Sequence, residues 1–153
     1  MRKTLLAAVM LLAGLVAFAQ DKPAYNYVDA AQFPLYGKAV ENTSERYTRL
    51  PAALEGVLRK DLWDLSRDAA GLCIRFRTDS KVIRARWNSI HCMVMNHMTP
   101  TGIRGLDLYA LCEDGWRFAG TARPSRDRHS DVKIISGMNG EMREYMLYLP
   151  KDD

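Results

Sequence analysis

The stretch GLCIRFRTDSKVIRARW, Gly71–Trp87, carries the strongest fold signal in the chain. Leu72, Ile74 and Phe76 alternate with Cys73, Arg75 and Arg77. After Asp79-Ser80 the alternation resumes, with Ile83, Ala85 and Trp87 set against Val82, Arg84 and Arg86. Successive side chains of a strand point to opposite faces. Two period-2 runs across a short polar turn therefore predict an antiparallel hairpin with one buried face. Arg75, Arg77, Arg84 and Arg86 then share the other face of that hairpin. Like charges side by side destabilise a sheet unless carboxylates neutralise them, and Glu113 and Glu144 are available. A solvated, counter-charged face is the economical reading; a face for an anion or a sugar acid is the sharper one.

Working outward, LDLYALCEDGWRFAG (106–120) repeats the pattern. Asp114-Gly115 is a strong hairpin turn, and Trp116 and Phe118 are expected to continue a core face beyond it. DVKIIS (131–136) and REYMLYLP (143–150) add two strands, with Gly-Met-Asn-Gly turning between them. Short strands at regular spacing, joined by Gly, Pro and Asp turns, predict an all-β antiparallel sandwich. Before Gly71 the signals weaken. YTRLP (47–51) reads as a short strand ended by Pro51. ALEGVLRKDLWDL (53–65) reads as two short strands rather than a helical turn, because Gly56, Val57 and Trp63 disfavour helix. Residues 20–46 carry Pro and Tyr with little periodicity and are expected to be extended. The domain proper is placed at 47–150, with a tail at 151–153.

The first nineteen residues are not expected to belong to the fold. Arg2 and Lys3 precede the unbroken apolar run TLLAAVMLLAGLVAF, and Ala17-Phe18-Ala19 is a small-residue cleavage signal with the cut before Gln20. The run is short of the ~20 residues that span a bilayer. No cysteine sits at the cut, so a secreted or periplasmic protein without a lipid anchor is expected. The remaining 134 residues form one domain of ordinary size. They carry 20 basic and 18 acidic residues, so nothing calls for a nucleic acid or an anionic membrane. Three cysteines, Cys73, Cys92 and Cys112, are too few for a disulfide scaffold. A single Cys92–Cys112 or Cys73–Cys92 bridge competes with the simpler reading of buried free thiols.

Chemistry is sparse. His91, Cys92, His97 and Cys112 are acceptable zinc ligands, but their spacing matches no ligand pattern, and no metal or other cofactor is expected. Ser89, His97 and Asp107 can be drawn together as a triad on paper. Neither Ser89 nor Ser80 sits in the strained glycine-flanked turn that a serine nucleophile needs. Gly102 and Gly105 are not followed by the helix start and Lys-Ser/Thr of a phosphate loop. Flat aromatic residues for a sugar are limited to Trp63, Tyr25, Tyr27 and Tyr36, because the other rings read as core.

One stretch remains, NHMTPTGIRGLDLYAL, Asn96–Leu111. Leu106, Leu108 and Ala110 form one face of a strand, and Asp107, Tyr109 and Leu111 the other. Asp107 follows a glycine-bracketed loop rich in backbone N–H groups. A carboxylate that accepts those amides would pin the loop. The clamp is either architecture alone or a way to present Asn96, His97 and Met98, with Thr101 and Gly102, to a ligand or a neighbouring domain.

Gly105-Leu106-Asp107-Leu108-Tyr109 is a GxDLY motif, and its surroundings extend the match. NHMTPTG, GLCIRFRTDSKVIRARW, DGWRFAGTARP, REYMLYLP, RLP and LWDLSRDAAG fall in order between Tyr47 and Pro150. In these words the chain resembles the N-terminal domain of bacterial SGNH-hydrolase-type (GDSL-like) esterases. The resemblance implies a jelly-roll-like β-sandwich. It also implies a following α/β domain in cis that supplies the catalytic Ser, Asp and His for hydrolysis of carbohydrate or acyl esters. The nucleophile block of such domains, Gly-Asp-Ser, has no counterpart here, and the chain runs from LYLP into KDD where the family continues towards the hydrolase. A fragment or a natural short form, inactive on esters by itself, is the expectation. Gly105, Asp107 and Tyr109 are the motif residues, and Asn96–Gly105 the expected contact with the hydrolase cleft. The alternative is a carbohydrate-binding module that works alone.

Overall fold

A computed structural model describes residues 24–90 and 94–151. The expected signal peptide, its cleavage residues Ala17, Ala19 and Gln20, and the ligand candidates His91 and Cys92 lie outside the described residues. Among the described residues seven antiparallel strands form two sheets: β1 (Leu35–Tyr36), β2 (Cys73–Thr78), β3 (Val82–Asn88), β4 (Leu106–Cys112), β5 (Gly115–Ala122), β6 (His129–Ser136) and β7 (Arg143–Tyr148). One sheet has the order β1-β2-β7-β4-β5, and the other pairs β3 with β6. The all-β sandwich expected from the sequence is what folds.

The pairing within it is different. β2 and β3 do not form a hairpin, because the turn between them carries the chain from the large sheet to the small one. β2 pairs with β7, with Phe76 opposite Tyr145, and β3 pairs with β6, with Ala85 opposite Val132. The return turn between β6 and β7 crosses back at the same end. There Met138 N–H donates to Lys81 O at 3.3 Å. Gly137 and Gly140, at φ 80° and 85°, supply the left-handed backbone this turn needs. The alternation in 71–87 is real, but it faces a core lying between two sheets. Ile83, Leu108, Ala110 and Tyr145 are buried there, with Phe76, Ile134, Ile135 and Leu147 packed against them. Phe76 and Tyr145 stack at 5.7 Å.

The arginines consequently separate. Arg75 lies on the large sheet and donates to Glu144 Oε1 at 2.8 Å. Arg84 and Arg86 lie on the small sheet, where each binds a different oxygen of Asp131 at 2.8 Å. Glu144 is a counter-charge that the sequence suggested; Asp131 is one that it did not. The β4–β5 hairpin closes across Glu113-Asp114, with Cys112 opposite Gly115 at φ 109°. Phe118, expected in the core, is 60% exposed. A bulge at Leu108/Tyr109 pairs Tyr109 with Phe118 and leaves Ala119 to pack on the core instead.

The segment before β2 also departs from expectation. YTRLP is not a strand, and ALEGVLRKDLWDL holds a 3-10 turn (Ala52–Leu54) and helix α1 (Lys60–Ser66). Val57, which argued for a strand, is 74% exposed and packs on nothing that would select one. Trp63 and Ser66, three apart, bury one face of α1, so Trp63 is not available to a sugar. Arg49 fixes the end of this helix. Its backbone N–H donates to Ser66 O at 2.8 Å, Nε to Asp68 O at 2.8 Å and Nη2 to Leu65 O at 2.5 Å. Those carbonyls have no partner within the helix, and that need overrides the strand pattern read in YTRLP.

Residues 24–46 are tied to the sandwich at both ends. β1 pairs with β2. The Tyr25 and Tyr27 rings lie under the guanidinium carbons of Arg84 and Arg86, at 4.8 and 3.6 Å. Tyr27 Oη donates to Asp131 Oδ1 at 2.7 Å. The Tyr27 hydroxyl, with Arg84 and Arg86 after it, holds the Asp131 carboxyl well below the usual carboxylate range. A carboxyl depressed in the folded state contributes stability above its unfolded value, and that contribution shrinks as pH falls below it. We expect the N-terminal strap to resist proteolysis near neutral pH and to loosen progressively below about pH 4. Limited proteolysis from pH 7 to 2 checks this, and Asp131→Asn should remove the pH dependence.

Candidate functional site

The Asn96–Gly105 segment contains a short helix, α2 (Pro100–Arg104), where a loop was expected. Thr99 caps it, with its side-chain oxygen accepting from Gly102 N at 3.3 Å. Pro100 at the first helical position completes the start signal. Ile103 is fully buried, and Trp87 Nε1 on β3 donates to Arg104 O at 3.1 Å, which joins α2 to the small sheet. Gly105 then admits the chain into β4. A Cβ on Gly105 would sit 2.3 Å from Thr101 O and 3.1 Å from Ala122 O. This glycine is required by close backbone approach, since its φ of −78° is open to any residue.

Asp107 does not clamp the loop. It points outward from β4 and accepts from Thr121 Oγ1 at 2.6 Å, across the pair with β5. The amides that it was expected to bind are held by Thr99 and by backbone carbonyls. Tyr109, also outward, meets Phe118 and Tyr148 edge-on at 5.8 and 5.7 Å. Asn96 and His97 are exposed, with His97 Nδ1 3.2 Å from Asn96 Oδ1. Met98 is half-buried, Thr101 half-buried and Gly102 exposed. Met98 Sδ lies 3.9 Å from Lys151 Nζ. The segment that leaves β7 thus runs beside the loop.

Ser89 is buried, and its Oγ has no hydrogen-bond partner, so it is not offered to a substrate. No hydrogen bond joins it to His97 or Asp107. Among the described residues no group of three or more His, Cys, Asp and Glu is placed to hold a metal ion. Cys73 and Cys112 are free, and burial pushes the Cys73 thiol up from its ordinary value. Among the described residues no helix is long and apolar enough to cross a membrane.

Arg104 was not singled out by the sequence reading. It is 4% exposed, and its Nε and Nη1 have no hydrogen-bond partner. Nothing in GIRGLDLY marks it, because a lone arginine before a strand is ordinarily solvated. A buried guanidinium without an acceptor loses hydration and regains little.

Two sets of substitutions test this geometry. Gly105→Ala should cost about 1–3 kcal/mol through the clash with Thr101 O, whereas Asp107→Ala should change stability by less than about 1 kcal/mol, because it removes one exposed hydrogen bond. Urea unfolding of both variants decides whether architecture or the carboxylate carries the motif's stability. Arg104→Met, which keeps the apolar stem, should raise the stability of the chain by about 1–4 kcal/mol; a fall in melting temperature would show that the guanidinium is satisfied.

The family model described as the N-terminus of SGNH-hydrolase-type esterases, GxDLY, matches residues 25–153. No curated protein matches the chain. A crystal structure named as a GDSL-like lipase from Bacteroides ovatus is similar, with 32% sequence identity and a TM-score of 0.77. The match covers 82% of this chain and 36% of that one, so the present chain corresponds to roughly a third of the relative. From the GxDLY motif, the two-sheet fold and these matches, the chain belongs to the family of N-terminal domains of SGNH-hydrolase-type esterases.

Proposed function

We propose that this chain is the accessory domain of an exported SGNH-type esterase acting on carbohydrate or other acyl esters. It packs on the catalytic domain and lends the loop Asn96–Gly105 to the rim of the substrate cleft. The observation that carries this reading is the position of Lys151 against Met98. A domain joined after β7 starts beside an exposed loop that bears an imidazole and an amide together, His97 and Asn96. Tethering at that point raises the effective concentration of any contact between loop and catalytic domain. The catalytic Ser, Asp and His belong to the partner domain in this reading.

A second reading is a carbohydrate-binding module that needs no catalytic partner. It draws on Phe118, Tyr109 and Tyr148, which lie on the outward face of the large sheet rather than in the core.

The test joins this chain to the part of the Bacteroides ovatus relative that lies outside the match and follows deacetylation of acetylated sugars. His97→Ala and Asn96→Ala should each lower kcat/KM by about three- to tenfold, the equivalent of one hydrogen bond. The chain by itself should release no acetate. Unchanged kcat/KM together with unchanged association of the two halves would remove the loop from the cleft.

A further inference from the structure

An antiparallel sheet with one face in water ordinarily turns polar side chains outward. The outward face of the large sheet instead carries a cluster of aromatic rings among its polar side chains. Phe118 is 60% exposed, Tyr36 44% and Tyr148 37%, and Tyr109 stands half-buried between Phe118 and Tyr148. Arg75 lies between the rings of Tyr36 and Trp116, 5.1 Å from the centroid of each, and Glu144 fixes its guanidinium. An exposed apolar patch of this kind marks an interaction surface. Its residue types, Tyr, Trp and Arg, are those that dominate binding energy at protein interfaces. They are also held in place by one another before any partner arrives, which lowers the entropy cost of binding.

We propose that this outward face, centred on Phe118, is the docking surface for the catalytic domain of the esterase. The proposal rests on the reading of the chain as an accessory domain, and adds which face the catalytic domain covers. Three observations select that occupant. Strand β7 ends at Tyr148, itself part of the face, and the following residues pass Met98, so a domain joined there begins at the rim of the patch. The similar crystal structure is a longer chain, of which this fold accounts for 36%. Neighbouring rings are turned by 77° and 78°, so Phe118, Tyr109 and Tyr148 do not make the coplanar platform on which successive sugar rings stack.

The experiment mixes this chain with the separately produced remainder of the Bacteroides ovatus relative, the part outside the match, and measures the Kd by calorimetry. Phe118→Asp should weaken association by about thirtyfold or more, as for an interface anchor. Lys133→Glu, on the small sheet, should leave it unchanged. Phe118 is mostly exposed, so circular dichroism should give the variant a wild-type melt. If the wild-type halves do not associate, the accessory-domain reading itself fails. If they associate but ignore Phe118→Asp, that reading stands and the face is wrongly assigned. Xylo-oligosaccharides that bind the wild type but not Phe118→Asp in the same calorimeter would overturn the proposal in favour of a glycan. A dimer of the chain abolished by the same substitution would overturn it in favour of a second copy.

Discussion

The sandwich depends on two strand-pairs changing sheets together. β2 leaves the large sheet for β3 in the small one, and β6 returns to β7, at one shared end. The contact that registers these crossings is small: Met138 N–H on Lys81 O, with Gly140 set against Asp79 and Lys81. Tyr145 Oη reaches Met138 Sδ at 3.0 Å and ties the same turn to the core. Because both crossings are locked to each other, the inner faces of the two sheets must meet. Ile83, from one sheet, then finds Leu108, Ala110 and Tyr145 from the other. Slipping either pair by one residue would turn its buried set outward.

Much of this is legible in the sequence, and the misses share a cause. Period-2 alternation located β2 to β7 closely, because burial of one face is a local property of a strand. It does not say which strand is the neighbour. Asp79-Ser80 reads equally well as a hairpin turn and as a crossing between sheets. The decision is made by Ile135 and Tyr145, far along the chain, which pair with Ile83 and Phe76. Phe118 was misplaced for a similar reason: a bulge, not its own identity, sets its side of the sheet. At α1 the last carbonyls needed donors, which Arg49 supplies from seventeen residues before Ser66 in sequence, an interaction invisible to any window of periodicity.

The candidate site was half legible. Asn96, His97 and Met98 stand in an exposed segment, as the glycine and proline pattern suggested. The importance of Gly105 was also readable, although its reason is contact with Thr101 O rather than backbone freedom. Asp107 drew attention as a carboxylate amid leucines, yet it simply faces out, where its partner is Thr121. The unusual charge is Arg104, three residues earlier and buried. Sequence shows which residue is chemically out of place for its own strand. It does not show which one the neighbouring strands have covered.

Three of the strand pairs are nested, with separations that rise in order, while β4 also pairs with β7 across that nest. Asp107 bonds Thr121 fourteen residues away, Arg84 bonds Asp131 forty-seven away, and Arg75 bonds Glu144 sixty-nine away. Closing each ring of chain costs more entropy than the one inside it, unless the inner ring has already shortened the path. The β4–β5 hairpin closes the shortest of these rings, and β7 is held from both sides, by β4 and by β2. The motif at the start of β4 thus opens the ring of chain that costs least entropy to close, and it leads into the strand that joins β5 to β7.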